Sequence, residues 1–485
     1  MASAEVLAKY EMTIGIECHV QLATTTKLFS GADNDARDKS PNTAINPIDF
    51  GLPGMLPVLN RHAVELAVRA GKALNAEVAR VSRFDRKHYF YPDLPKGYQI
   101  SQMYQPIIIG GSVEAPLENG ETITVRLDHA HMEEDAGKLT HYSDYSLVDL
   151  NRAGTPLIEI VSQPDIHSAA GAKAFATELH RLMTYAGVTY GDLYNGNMRF
   201  DVNISVALKG STELGKRAEV KNLNSFRSVE KAAEYEFNRQ IDLLEKGETI
   251  VQETRGWDDA AGKTSSQRSK EDAQDYRYMP DADIPPIVLT DEEIERIQAE
   301  VPNLPSYYRE QWKQLEFDTS VVNTLLDSQE SALLVQGLLD NGQKDAARRV
   351  GLWFAGATSE ELLSEVNKNE TPISINSFIE LSDMVGANEL NSNAARDIFF
   401  EMLKTSKAPR QIAEEKNLLQ VSDETAIQAI VDEVLADPAS AQSVADFKAG
   451  QEKAIGFLVG QIMKRSKGKA NPGLAQQLIR KKLGE

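Results

Sequence analysis

Between Thr13 and Leu22 the chain alternates strictly. Ile14, Ile16, Cys18, Val20 and Leu22 are apolar, and Glu17, His19 and Gln21 stand between them. A period of two predicts a β-strand with one buried face and one polar face. The alternation returns in residues 199–206, where Phe200, Val202, Ile204 and Val206 oppose Arg199, Asp201, Asn203 and Ser205. Residues 218–224 form a shorter strand that sets Glu219 and Lys221 on one face. Residues 156–161 are an apolar run broken by Glu159.

Elsewhere the apolar period lengthens to that of a helix. Ala63, Ala67, Ala70 and Leu74 mark one helix face; Phe175, Leu179, Leu182 and Ala186 mark a second, stopped by Gly187. Val229, Ala233, Phe237, Ile241 and Leu244 mark a third, stopped by Gly247. Strands and helices follow no regular βαβ rhythm. Residues 1–290 are therefore predicted to form an α+β domain with a mixed, largely antiparallel sheet. After Asp283-Ile284-Pro285-Pro286 the pattern turns helical, opening at Thr290-Asp291-Glu292-Glu293 with a cap residue and an acidic first turn. A second break lies near Lys407-Ala408-Pro409. Two all-helical domains are expected, 291–408 and 409–485. A chain of 485 residues is long enough for three domains.

Composition narrows the function. One cysteine in the whole chain excludes a disulfide scaffold and a Cys-rich metal cluster. That cysteine, Cys18, stands on the apolar side of its strand, which predicts a buried thiol and not a nucleophile. No run approaches eighteen apolar residues, and the N-terminal text has no secretory or transit pattern, so a cytoplasmic protein is expected. The net charge of −20 opposes nucleic-acid binding except at a local basic patch. Residues 451–485 supply one: eight Lys and Arg, among them Lys464, Arg465, Lys467 and Lys469, stand against Glu452 and Glu485. They flank a helix–Asn471-Pro472–helix junction, a candidate phosphate-backbone contact.

The polar strand faces carry the candidate chemistry. Glu159 on a buried strand costs several kcal/mol unless it is paired or bound to a metal. Residues 131–138 pack Glu133, Glu134 and Asp135 ahead of Gly137. Glu17, His19, Glu134 and Glu159 together can supply one hard-cation site, suited to Mg²⁺ or Mn²⁺. Asp201, Asn203, Glu219 and Lys221 are candidate ATP or phosphate contacts. Residues 84–102 interleave Arg86, Lys87 and Lys96 with rings and prolines, and cations aimed into such a cleft would hold a triphosphate. Gly262-Lys263-Thr264 resembles the end of a phosphate loop, but Trp257 stands where its first glycine is required, so the triplet reads as a turn.

These segments together resemble the B-subunit family of the aspartyl/glutamyl-tRNA(Asn/Gln) amidotransferases. The likeness covers residues 14–20, 84–102, 131–138, 146–152, 154–162, 221–226 and 275–278, and in the tail 453–464 and 467–472. It implies a cradle similar to glutamine synthetase, followed by helical domains that end in a tRNA-gripping tail. It further implies ATP-dependent phosphorylation of the side-chain carboxylate of Glu-tRNA(Gln) or Asp-tRNA(Asn), followed by amidation with ammonia. His19, Glu134 and Glu159 fall on the family's metal-ligand positions, with Glu17 beside them, and Lys87 and Lys96 on its transamidation lysines. The choice of Glu134 over Glu133 rests on the resemblance alone. The ammonia would come from a glutamine-hydrolysing amidase partner, joined by a small third protein in a heterotrimer. Two other classes compete: a stand-alone ATP-dependent ligase of small carboxylates and amines, which leaves the basic tail unused, and an RNA-binding scaffold, which leaves Glu159 and the Glu17/His19 face unused.

Overall fold

Strict alternation builds a sheet, and the helix-period segments cover one side of it. The structure, a computed structural model, describes residues 3–269, 275–357, 373–420, 424–466 and 470–484. It divides into two compact units, Met1–Tyr307 and Tyr308–Glu485.

Ten strands of the first unit form one sheet. They are β1 (Tyr10–Gln21), β2 (Glu77–Val78), β3 (Ile108–Ile109), β4 (Ser112–Pro116) and β5 (Thr122–Glu134). The others are β6 (Pro156–Ser162), β7 (Met198–Leu208), β8 (Ala218–Leu223), β9 (Glu253–Asp258) and β10 (Lys263–Ser269). The order is β10-β9-β8-β7-β1-β6-β5-β3-β2, and β4 also pairs with β5. All pairs are antiparallel except β8 with β9. Three helices follow the expected segments: α1 (Arg61–Ala73), α2 (Ala169–Tyr185) and α3 (Phe226–Glu245). The crossover through α3 is what the parallel pair requires. The fold is α+β with a mixed, largely antiparallel sheet, as the patterning predicts.

The core forms where the apolar strand face meets these helices. Ile14, Ile16, Cys18 and Val20 of β1 are all 1% exposed or less. They join Ala67 and Ala70 of α1, Phe175 and Leu179 of α2, and Val229 and Ala233 of α3. Each helix begins on a side-chain cap that satisfies its first amides: Asn60, Ser168 and Ser225 accept from backbone N–H groups in the first turn. Gly187 and Gly247 end α2 and α3 with φ of 68° and 74°, a conformation that favours glycine. The Gly262-Lys263-Thr264 triplet lies at the β9–β10 hairpin, with Gly262 at φ 61°. It is a turn, as expected.

Beside the sheet, a three-stranded ribbon of Asp85–His88, Tyr98–Ser101 and Met279–Pro280 carries the cationic, aromatic stretch. The helix Asp291–Ala299 starts with a full capping box between Thr290 and Glu293, and its Ile297 enters the core of the first unit. The second unit is helical. Its last four helices, Glu424–Ala436, Ala441–Lys448, Ala454–Arg465 and Pro472–Leu483, close around Ile427, Val431, Leu458, Ile462 and Leu478. Among the described residues no helix is long and apolar enough to cross a membrane.

Ile160 of β6 is 1% exposed at the centre of the sheet. Ile160→Ala should destabilise the first unit by about 2–5 kcal/mol, measured by urea unfolding followed by far-UV circular dichroism. A loss well under ~1 kcal/mol would contradict this packing.

Candidate active site

Register decides which polar residues meet. On β1, His19 lies opposite Glu159 of β6 and Arg199 of β7, and Glu17 lies opposite Asp201. Glu159 in turn lies opposite His131 of β5, and Asn203 lies opposite Glu219 of β8. Opposed residues share a face. Five adjacent strands therefore present one continuous polar surface, on the side of the sheet away from the helices.

One end of this surface gathers His19, Glu133 and Glu159. Their donor atoms lie within 4.8 Å of one another. His19 Nε2 is 3.6 Å from Glu133 Oε1 and 3.5 Å from Glu159 Oε2. His131 Nε2 is 3.3 Å from Glu159 Oε2 and 3.7 Å from Glu133 Oε2. Burial opposes a charge on His131, but hydrogen bonds and the charges of Glu133 and Glu159 more than reverse this and push its pKa up to about 10. Burial likewise works to raise Glu159, yet His131, His19 and Lys87 hold its carboxyl below the usual range. Lys87 of the ribbon holds its Nζ 5.0 Å over the Tyr276 ring and feels the charges of Glu133 and Glu159. Desolvation weakens its charge, and Glu133, Tyr278 and Glu159 outweigh that, so its pKa is raised. One imidazole and two carboxylates, strongly polarised and half-shielded from water, can hold a divalent cation.

The expectation placed Glu134 in this cluster, and the structure corrects it. Alternation on β5 turns His131 and Glu133 toward Glu159. Glu134 turns to the side of Met132, which belongs to the core. There Glu134 is 3% exposed and forms an ion pair with Lys96. It also accepts from the Ile100 amide at 2.9 Å. Burial raises its pKa and Lys96 acts against that rise. Lys96 is thus committed to Glu134. Arg86 is held at 2.7 Å by both Asp281 and Asp283, with its guanidinium 4.5 Å over the Tyr98 ring. Of the three cations expected to face the cluster, Lys87 does so.

The other end of the surface gathers Glu17, Asp201 and Glu219, with donor atoms again within 4.8 Å of one another. Lys221 Nζ bridges this group, 3.1 Å from Asp201 and 3.0 Å from Glu219. Asn203 donates to Glu17 at 2.9 Å, and its own Oδ1 is buried with no hydrogen-bond partner among the described residues. Desolvation, then Glu159 and Glu219, raise the Glu17 pKa. A cavity of about 420 Å³ opens beside Glu17 and Asn203, lined also by Gly15, Ser205, Lys216 and Arg217. Between the clusters, Arg199 is 3.3 Å from Asp135, which Arg152 also binds at 2.8 Å.

Glu17, His19, Glu159, Asp201, Asn203, Glu219 and Lys221 thus lie where alternation predicts, on one surface. His131 and Glu133 were missed as partners of Glu159, although the apolar Ala130 and Met132 beside them carried the signal of a shared face. Cys18 is buried, and burial raises its thiol pKa well above the usual range. In the tail, Arg465 pairs with Asp437 and lies 3.6 Å from Glu433. Lys464 sits beside it in the last turn of its helix. Lys467 and Lys469 lie outside the described residues.

Lys96→Met leaves Glu134 buried without its cation. The Glu134 pKa then rises further above its unfolded value, so the penalty acts at and above the ordinary carboxylate range and fades below it, where both states are protonated. The variant should lose about 3 kcal/mol near neutral pH and less in mild acid, read from denaturation curves at the two conditions. A deficit independent of pH would contradict this role.

Comparison with known proteins identifies the family of the chain. Residues 12–295 match the family model described as the GatB/GatE catalytic domain, and residues 334–483 match that of the GatB domain. A protein of Polynucleobacter asymbioticus, named as the B subunit of aspartyl/glutamyl-tRNA(Asn/Gln) amidotransferase, is 46% identical, with 98% of this chain and 100% of the relative covered. Proteins of the same name from Caldanaerobacter subterraneus subsp. tengcongensis and Persephonella marina are 45% and 43% identical, each with 98% of this chain and 100% of the relative covered. With both segments matched and the relatives aligned from end to end, the chain belongs to the family of aspartyl/glutamyl-tRNA(Asn/Gln) amidotransferase B subunits.

Proposed function

We propose that the polar sheet face transfers the γ-phosphoryl group of ATP to the side-chain carboxylate of Glu-tRNA(Gln), Asp-tRNA(Asn) or both. Ammonia then displaces the phosphate, leaving Gln-tRNA(Gln) or Asn-tRNA(Asn). A carboxylate is a poor acyl donor because its leaving group would be oxide; the mixed anhydride replaces that with phosphate. The observation that carries this reading is the convergence of two donor clusters, His19/Glu133/Glu159 and Glu17/Asp201/Glu219, on one face with Lys87 and Lys221 beside them. The names of the relatives supply the substrate class.

The two clusters fit a divalent cation by donor type, and the partnerless Asn203 Oδ1 adds a buried acceptor at the second. Mg²⁺ or Mn²⁺ held there would neutralise phosphate charge and align the transferred group. Lys87, facing the first cluster, is placed to stabilise charge on the equatorial oxygens. Lys221 already bridges carboxylates and would reach an incoming phosphate with little rearrangement. The cavity beside Glu17, with Lys216 and Arg217 on its wall, supports seating the nucleotide at that end. Arg199, fixed by Asp135, stands between the two ends and can hold a carboxylate or phosphate in register.

The remaining parts of the reading concern partners. The buried Cys18 offers no thiol for glutamine hydrolysis, which favours ammonia supplied by a separate amidase, with a small third protein completing a heterotrimer. Phe50, Leu52, Met55, Leu56 and Val58 form an exposed apolar segment of the kind that protein partners cover. The boundary expected at residue 290 moves to 307, because the helix Asp291–Ala299 packs Ile297 into the core of the first unit. Met1–Tyr307 would act as the cradle, 308–408 as a helical connector and 409–485 as the tail that grips tRNA through Lys464, Arg465, Lys467 and Lys469. A cytoplasmic location suits a partner of translation.

The test uses the chain assembled with its amidase. Glu159→Gln should lower formation of amidated tRNA by roughly 10²–10³-fold, while the dissociation constant for tRNA changes little. Amidation at the wild-type rate would refute the assignment. Joint loss of RNA binding and amidation in a folded variant would place Glu159 in RNA binding instead.

A further inference from the structure

Two imidazoles beside the first cluster have no part in the scheme above: those of His129 and His131. The register forms a row across three strands: His19 on β1, Glu159 on β6 and His131 on β5. Glu159 lies between His19 and His131, and both Nε2 atoms approach its Oε2, at 3.5 and 3.3 Å. Glu133 divides its oxygens in the same way, with Oε1 toward His19 and Oε2 toward His131. The two carboxylates are therefore flanked on both sides by ring nitrogens.

The far nitrogen of His131 is also fixed. Its Nδ1 is 3.1 Å from His129 Nε2, and the two rings stack with centroids 5.2 Å apart. His129 Nδ1 is 2.7 Å from Asp128 Oδ2, and Gln163 donates to the other oxygen of Asp128 at 2.7 Å. The register of the β5–β6 pair shifts at this point, with Val161 opposite His129 and Ser162 opposite Leu127, which leaves Asp128 as the extra residue. An ionised aspartate only accepts, so His129 must carry its proton on Nδ1. The Nε2 of neutral His129 then only accepts, so His131 must donate from Nδ1. Without a cation, Nε2 of His131 carries a second proton toward Glu133 and Glu159. The Nδ1 proton is the one held by His129, so a divalent cation bound there displaces the proton on Nε2 and takes its lone pair. This chain of hydrogen bonds selects the tautomer.

We infer that His131 Nε2 is a further ligand of the cation held by His19, Glu133 and Glu159, and that Asp128 and His129 are positioning residues that set its tautomer. The inference rests on the reading of this cluster as a cation site. Its consequence is a donor set of two nitrogens and two carboxylates, which favours Mn²⁺ over Mg²⁺. The second cluster, Glu17/Asp201/Glu219, offers oxygen alone and has no such preference.

The experiment loads the full chain with less than one equivalent of Mn²⁺ and counts coordinated imidazole nitrogens by electron spin-echo modulation. Two ¹⁴N couplings are expected in the wild type and one in His131→Gln. His129→Leu should weaken Mn²⁺ binding about tenfold or more, whereas His129→Gln, which keeps an acceptor toward His131 Nδ1, should retain most of the affinity. Bound Mn²⁺ with a single nitrogen in the wild type, or two nitrogens surviving in His131→Gln, would overturn the role of His131. Equal losses in His129→Leu and His129→Gln would overturn the tautomer assignment. If no Mn²⁺ binds at all, the cation reading of the cluster fails, a result distinct from binding with one nitrogen.

Discussion

The polar sheet face depends on one geometric constraint: successive side chains of a strand point to opposite sides, and register decides which of them become neighbours. In β1 this puts Glu17 and His19 on the face away from the core while Ile16, Cys18 and Val20 anchor the strand beneath. A slip of one residue against β6 would bury His19 and expose Cys18. The apolar face is packed against three helices, so such a slip is strongly disfavoured. The same packing that stabilises the domain thus holds five strands' worth of polar groups in fixed relation.

That arrangement concentrates negative charge, and the structure answers it with one or two cationic groups in each neighbourhood. Lys87 and His131 face Glu133 and Glu159, Lys221 bridges Asp201 and Glu219, and Arg199 and Arg152 bind Asp135. The raised pKa of Glu17 and the lowered pKa of Glu159 show that the compensation is uneven along the face. Unevenness of this kind suits the proposed transfer between a triphosphate and a carboxylate.

The strand faces were legible because alternation is a local property. Glu17, His19, Asp201, Asn203, Glu219 and Lys221 could be assigned to a common side from text alone, and Cys18 to the opposite one. Long-range pairing was less accessible. That Glu133 and not Glu134 joins Glu159 follows from alternation on β5, but only once β5 is known to pair with β6. The ion pair of Lys96 with Glu134 and the capture of Arg86 by Asp281 and Asp283 come from a ribbon that folds beside the sheet, and no local period announces either. Contacts between side chains nearly two hundred residues apart, such as Arg86 with Asp281, are set by tertiary packing, which a reading of adjacent residues does not reach.

The decisive measurement concerns the fate of the carboxylate oxygen. Glu-tRNA(Gln) labelled with ¹⁸O at both oxygens of its side-chain carboxylate would be amidated by the assembled enzyme with ATP and ammonium, and the released phosphate analysed by mass spectrometry. Phosphoryl transfer on this sheet face predicts one ¹⁸O in the phosphate for each amide formed. Phosphate free of label, with amide formation undiminished, would contradict activation through an acyl phosphate.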